Sequence, residues 1–196
     1  DSSIILENGN VLINGHEAVD LGLSVKWATC NVGASKPEDY GDYYAWGETT
    51  TKSGHNWKTY KWCKGTSDTM TKYCTDSDYG TVDNRTTLSS SDDVATVKWG
   101  SKWRMPTKEE MKELDEDCTW RWTTQNGVDG MKVTGPNGNS IFLPAAGYRN
   151  GTGLKYRGSR GLYWSATLVD GYNYNAHPLY FHGDYGSWDS WYVRIY

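Results

Sequence analysis

Apolar residues in this chain fall in short runs broken by turn-forming residues, the pattern of a succession of short strands. Ile4–Leu6 and Val11–Ile13 flank Asn8-Gly9, a hairpin signal. A second Asn-Gly, Asn14-Gly15, precedes Ala18–Leu21. The N-terminus therefore reads as a small β-meander or as the tail of an upstream module, and residues 1–15 are set apart from a main domain over 16–196. Val25–Cys30 reads as a further strand. In the second half the strand pattern covers Trp120–Thr124, Met131–Thr134, Ser140–Leu143, Tyr163–Ala166, Leu179–His182 and Tyr192–Ile195. The GPNGN stretch at 135–139 joins two of these as a hairpin.

Helical spacing appears twice. Thr107 and Glu110 form a capping-box pair behind Pro106, and Met111, Leu114 and Cys118 recur on one face, which predicts a helix over 108–118. Its charges, Lys108, Glu109, Lys112, Glu113 and Glu116, fall mostly on the opposite, wetted side. A shorter helix is predicted at about 92–98, started by Ser91, with Val94 and Val97 on one face. Residues 35–98 otherwise show little periodicity and read as a long ordered loop region braced by Trp46, Trp57, Tyr60 and Trp62. Two helices beside antiparallel strands give an α+β class.

Composition changes this picture in one respect. Aliphatic residues are few and only 2 Phe are present, but 11 Trp and 15 Tyr replace them, so the core is an aromatic one. The formal net charge of −4 carries no electrostatic footprint for nucleic acid. No apolar run approaches the roughly 18 residues of a membrane span. The chain starts at Asp1 without Met, so it reads as a processed or trimmed form. Cys30, Cys63, Cys74 and Cys118 contain no CxxC. They read as small buried hydrophobes, or, in an exported protein, as one disulfide between Cys63 and Cys74 plus two thiols.

Five aromatic blocks recur along the chain: VDLGLSVKWATCNVGA (19–34), YGDYYAWGET (40–49), WGSKWRMPTKEEM (99–111), GNSIFLPAAGYR (138–149) and LYWSAT (162–167). On these blocks the chain resembles the Fibrobacter succinogenes major paralogous domain, a family of bacterial surface proteins, over about residues 16–196. That family is similar to the C-type lectin fold, in the branch that includes formylglycine-generating enzymes and the variable proteins of diversity-generating retroelements. The resemblance implies a C-type lectin-like α+β domain with a twisted sheet and extensive irregular loops. It also implies export or lipid anchoring at the cell surface. It leads one to expect a further closing segment of the form GxSVRPV after Tyr196, which the sequence lacks.

The candidate site is the segment 170–192, DGYNYNAHPLYFHGDYGSWDSWY. Rigid aromatics give contact area at low entropic cost, and small polar residues give adaptable hydrogen bonds. Period-2 alternation puts Leu179 and Phe181 toward the core and Tyr180 and His182 outward. Tyr172, Asn173, Tyr174, Asn175, His177, Asp184, Tyr185, Trp188, Asp189 and Trp191 are expected in loops nearby, with Trp188 and Trp191 as stacking platforms for a sugar ring. Retroelement-diversified relatives carry their variable binding residues in this part of the fold. The expected function is non-catalytic recognition of a glycan or protein at a cell surface. The alternatives are a retroelement-diversified receptor-binding protein, on a bacterial surface or phage tail, and a structural or adhesive module of a surface fibre whose open final strand accepts a donor strand.

Other chemistry is weakly supported. His177, His182 and Asp184 could make a three-ligand metal site, but their spacing matches no standard motif. Asp76, Asp78 and Gly80 match part of a calcium loop without its closing Glu. No cofactor is expected, and calcium, which lectin-type folds often bind, is left open without assigned ligands. HExxH, GxSxG and phosphate-loop motifs are absent, Glu48 has no paired carboxylate in the sequence, and no Cys follows Cys118. Asp68-Thr69-Met70 resembles the short site at which some gut bacteria attach O-glycans to exported proteins.

Overall fold

The computed structural model describes residues 2–183 and 185–196. The N-terminal meander forms as one antiparallel sheet of β1 (Ser3–Ile5), β2 (Val11–Ile13), β3 (His16–Val19) and β4 (Trp27–Ala28). Asn14 and Gly15 take φ of 50° and 81°, the left-handed pair that a two-residue hairpin with the native twist requires. β4 is shorter than the expected Val25–Cys30. Its partner β3 stops at Val19, where the chain turns away through an Asp20 carboxylate that accepts the Gly22 amide at 2.8 Å.

Residues 35–98 are irregular apart from 3₁₀ turns at Ser77–Tyr79 and Ser90–Asp92 and the helix α1 (Val94–Trp99). The expected aromatic bracing is present. Trp46 Nε1 donates to the Ser165 carbonyl (2.8 Å), Tyr60 OH to the Trp46 carbonyl (2.6 Å), and Trp62 Nε1 to the Gly47 carbonyl (2.8 Å). Backbone carbonyls of the loop and of the irregular part of the neighbouring strand are thus satisfied by indole and phenol donors. Glu48, buried, accepts from Lys52 Nζ (2.9 Å) and the Lys61 amide (2.9 Å), which makes it a loop lock. The Thr69 hydroxyl is engaged in a turn with the Lys64 and Thr66 amides, and Met70 beside it is in the core.

α1 departs from expectation at both ends of its face. Asp93, not Ser91, is its N-cap, accepting from the Thr96 amide at 3.1 Å. With the start moved two residues on, Val94, Ala95 and Trp99 turn inward and Val97 is exposed. Helix α2 (Lys108–Glu116) has the full capping box, and Met111 and Leu114 form its buried face. Cys118 lies past its end but still packs on the core. Glu110 is buried at the box and takes a two-pronged ion pair from Arg104 (2.6 and 2.8 Å). Burial opposes its charge, but that pair holds its carboxyl below the usual range.

β5 (Thr119–Gln125), β6 (Val128–Thr134) and β7 (Ser140–Pro144) form an antiparallel sheet in chain order. A third Asn-Gly, Asn126-Gly127 (φ 48° and 80°), closes β5 onto β6, a turn outside the strand pattern read above. β8 (Tyr148–Asn150) and β9 (Gly153–Lys155) make a hairpin. In the last sheet β11 (Asn175–His182) pairs with β10 (Arg160–Leu168) on one side, and with β12 (Tyr185–Ser187) and β13 (Tyr192–Val193) on the other. Met111, Leu114, Met131, Val133, Leu179 and Phe181 lie at the centre of the main core, between α2 and these sheets. Gly161 approaches this core closely, since a Cβ at that position would sit 2.1 Å from the Phe181 ring. The fold is α+β, mostly antiparallel sheet with two short α-helices among the described residues. No helix among the described residues is long and apolar enough to cross a membrane.

The Cys63–Cys74 disulfide alternative is corrected. All four cysteines are free: Cys63 Sγ faces the Trp57 carbonyl (3.1 Å) and Cys74 Sγ the Asp76 carbonyl (3.2 Å), so each thiol is taken up by backbone instead of by the other. Residues 192–196 pack into the last sheet. β13 pairs with β11, and the Arg194 guanidinium is fully buried. It donates to the Tyr60 hydroxyl (3.0 Å) and to the carbonyls of Tyr73 (2.8 Å), Asn173 (2.9 Å) and Lys72 (2.9 Å). The rings of Trp46 and Tyr60 lie 5.0 and 5.3 Å from its centre.

Candidate ligand-binding face

Alternation along β11 behaves as expected: Leu179 and Phe181 are buried, Tyr180 is half-buried and His182 is exposed on the other side. Register then decides their neighbours. Arg160 of β10 and Tyr185 of β12 lie opposite His182, and Leu162 and Ser187 lie opposite Tyr180.

A continuous series of rings runs across this outer face. Tyr185 meets His182 at 5.4 Å, His182 meets Tyr180 at 5.7 Å, and Tyr180 stacks on Tyr192 at 5.6 Å. Tyr192 leads to Tyr196 (6.2 Å) and Tyr148 (6.0 Å), which stack on each other at 4.8 Å. Tyr148 meets Tyr156 at 5.8 Å, and the Arg160 guanidinium lies 3.8 Å from the Tyr156 ring centre. Tyr156 and Tyr185, at the two ends, are exposed, at 46% and 54%. Burial, with the neighbouring Tyr180, pushes the Tyr192 phenol up to about 12, and burial raises Tyr148 in the same direction. These two phenols stay protonated at neutral pH, so the face offers flat rings with neutral hydroxyls that both donate and accept.

A second, smaller group joins Tyr172 to Trp191 (5.2 Å) and Trp191 to His177 (6.5 Å). Tyr172 and Trp191 are exposed, whereas His177 is buried with Nδ1 3.3 Å from the Ser190 carbonyl. Burial, reinforced by the Lys108 charge, lowers its pKa, so it is a neutral imidazole at neutral pH. A cavity of about 630 Å³ is lined by Tyr148 and Tyr196 of the main face and by Leu162 and Trp164 of β10, and extends to Trp27, Trp99 and Trp103. Trp27 Nε1 is buried without a hydrogen-bond partner among the described residues.

The expected site residues divide sharply. Tyr180, His182 and Tyr185 join the main series, and Tyr172, His177 and Trp191 form the second group. Asn173 is corrected from exposed loop to fully buried: its Oδ1 accepts the Thr75 and Asp76 amides (2.6 and 3.0 Å), tying the 70s loop to the sheet. Asn175 is buried within β11 opposite Val193, and Tyr174 packs on Tyr79 at 5.4 Å. Trp188 is corrected from a stacking platform to a brace. It is half-buried against the main core, its Nε1 donates to Glu116 (3.2 Å), and the Lys108 and Lys112 ammonium groups lie 5.4 and 5.2 Å from its ring. Asp189 is exposed, its amide donating to the Ser187 hydroxyl (3.2 Å). Asp184 lies outside the described residues.

Tyr148, Tyr156, Arg160, Tyr192 and Tyr196 belong to the face without having been singled out by sequence. Tyr148 closes a block read as scaffold, and Tyr156 and Arg160 sit in a Gly-rich stretch without periodicity. As for metal, His177 and His182 are five residues apart on β11 and so point to opposite faces. Asp76 caps the 3₁₀ turn by accepting the Asp78 amide (2.9 Å). No group of three or more His, Cys, Asp or Glu arranged to hold an ion occurs among the described residues. Comparison with protein-family models, curated proteins and solved structures finds no match for this chain.

Proposed function

We propose that this chain is a non-catalytic recognition domain of C-type lectin-like fold, displayed at a cell surface, that binds a glycan or protein ligand through the aromatic face of its last sheet. The continuous ring series from Tyr185 to Tyr156 carries this reading. Interior aromatics are normally covered, and here a line of them is left half-open, with its two ends about half exposed. Rings held by one another are preorganised, so a ligand need not order them on binding. The lectin-like assignment and the surface location draw on the five sequence blocks and on the α+β arrangement of short helices, antiparallel sheet and a long irregular loop region.

The test is a glycan-array screen of the purified protein, with and without calcium, beside the variant Tyr156→Ala/Tyr180→Ala/Tyr185→Ala. The expected result is a hit that the triple variant loses while its melting temperature stays within a few degrees. Binding retained by the folded triple variant would place the site elsewhere.

A further inference from the structure

Charge is unevenly distributed along this chain. Overall it carries 24 acidic against 20 basic residues, but residues 130–169 contain Lys132, Arg149, Lys155, Arg157 and Arg160 and not one Asp or Glu. Four of those cations belong to the β8–β9 hairpin and its exit to β10, beside Tyr148 and Tyr156. Lys155 lies opposite Tyr148 in the hairpin register, and the Arg160 guanidinium is stacked on Tyr156. On the other side of the hairpin Arg157 lies over Tyr40 (4.7 Å) and Arg149 over Tyr43 (5.5 Å).

None of Arg149, Lys155, Arg157 and Arg160 forms an ion pair among the described residues, whereas Lys52, Lys72 and Arg104 each pair closely with a carboxylate. Among the described residues, Glu48 holds Lys52 and the Lys61 amide, and Asp42 accepts from the Tyr44 hydroxyl (3.4 Å). A guanidinium stacked on a tyrosine ring is fixed in plane and keeps edge N–H groups for an anion in the two-pronged geometry that suits carboxylate or sulfate. Rings for the apolar face of a sugar thus stand side by side with cations that have no carboxylate partner among the described residues.

Taking the aromatic face as the ligand site, we propose that its ligand is an acidic carbohydrate, a chain bearing uronate or sulfate groups, whose rings lie along Tyr156, Tyr148 and Tyr180 while Arg160 and Lys155 bind its anions. A single-stranded nucleic acid would also meet rings and cations, and an oligothymidylate therefore stands beside the polysaccharides in the test.

The experiment measures binding of polygalacturonate, carboxyl-reduced polygalacturonate, dextran sulfate, dextran and an oligothymidylate. The proteins are wild type, Lys155→Gln/Arg160→Gln, the charge-matched control Lys64→Gln/Lys98→Gln on exposed positions outside the hairpin, and Tyr156→Ala/Tyr180→Ala. All are checked for an unchanged melting temperature.

The expected result is binding of at least one acidic polysaccharide about tenfold or more tighter than its neutral counterpart. Binding should weaken as NaCl rises from about 50 to about 500 mM. It should drop about tenfold in Lys155→Gln/Arg160→Gln and be unchanged in the control. Polygalacturonate against dextran sulfate separates uronate from sulfate recognition. Equal binding of acidic and neutral chains, equal loss in the control, tighter binding of oligothymidylate, or no polysaccharide binding at all would overturn the proposal. If a neutral chain binds and Tyr156→Ala/Tyr180→Ala abolishes it, only the acidic assignment fails. If that variant keeps wild-type binding, the aromatic face itself is not the site.

Discussion

Arg194 makes no ion pair among the described residues, yet its guanidinium is fully buried. A buried charge is tolerated only when its donors are satisfied, and here three carbonyls and a tyrosine hydroxyl do so beneath aromatic faces. Arg194→Met removes the charge but strands the carbonyls of Tyr73, Asn173 and Lys72, each costing about 1–3 kcal/mol if left unpaired. The expected outcome is a loss of about 3 kcal/mol or more, read as a lowered urea midpoint; a neutral effect would show that water reaches those carbonyls. His55 presents the opposite case. It is fully buried, its Nδ1 meets the Ile195 carbonyl at 3.1 Å, and its Nε2 has no partner among the described residues. Burial, with the Lys52 charge, lowers its pKa. The unfolded chain, with an imidazole pKa of about 6.5, then binds the proton more readily. Stability contributed by neutral His55 is therefore complete above about pH 6.5 and is lost as pH falls below it. Unfolding midpoints measured from pH 8 down to about 5 should decline, and His55→Gln should make that decline shallower. An unchanged slope would mean that the folded protein accommodates the proton.

The last sheet does two jobs with its two faces, and substitutions should separate them. Gly161 faces the Phe181 ring, so Gly161→Ala must push that ring out of the core, at about 1–3 kcal/mol for overpacking. Trp188→Ala should likewise cost stability, because its ring covers the core and its Nε1 anchors to Glu116 on α2, while leaving ligand binding intact. Thermal melts and binding isotherms on the same two variants check this, and loss of binding in a stable Trp188→Ala would reinstate it as a contact residue. The alternation of Leu179–His182 made half of this sheet legible in sequence, because a period of two is a local property. The capping box of α2 was legible for the same reason. The rest of the face was not. Tyr148 and Tyr156 reach Tyr192 and Tyr196 only through pairings far apart along the chain, and β8, β9 and β12 are three residues each, too short to show a period. Trp188 and Asn173 misled for a related reason: composition marks a residue as suited to recognition but does not say whether a helix or a loop has already claimed it.

At the scale of the whole molecule the N-terminal meander is divided. All of β1 is exposed, including Ile4 and Ile5 at 57% and 78%. From β2 onward the strands are part of the core's outer layer. The Ile13 carbonyl accepts Trp103 Nε1 (3.0 Å), Asn14 Nδ2 donates to the Trp99 carbonyl (3.1 Å), and His16 stacks on Trp99 at 4.1 Å. Ala18 is buried with Trp99 and Trp103. The break between dispensable and integral chain therefore falls within the β1–β2 turn, ahead of residue 15. Removing residues 1–9 deletes no buried side chain among the described residues and should move the melting temperature by no more than about 4 °C, the shift that about 1 kcal/mol produces in a domain of this size. Removing residues 1–19 uncovers Trp99 and Trp103, strips their hydrogen-bond partners and should abolish the cooperative transition. Two truncations followed by calorimetry decide the matter. If both melt like the full chain, the meander is an appendage; if both fail to fold, β1 contributes through the edge it pairs, not through its side chains. In the truncation lacking residues 1–9 the aromatic face, built entirely from residues beyond 147, should bind its ligand as before, which separates what holds the molecule together from what it recognises.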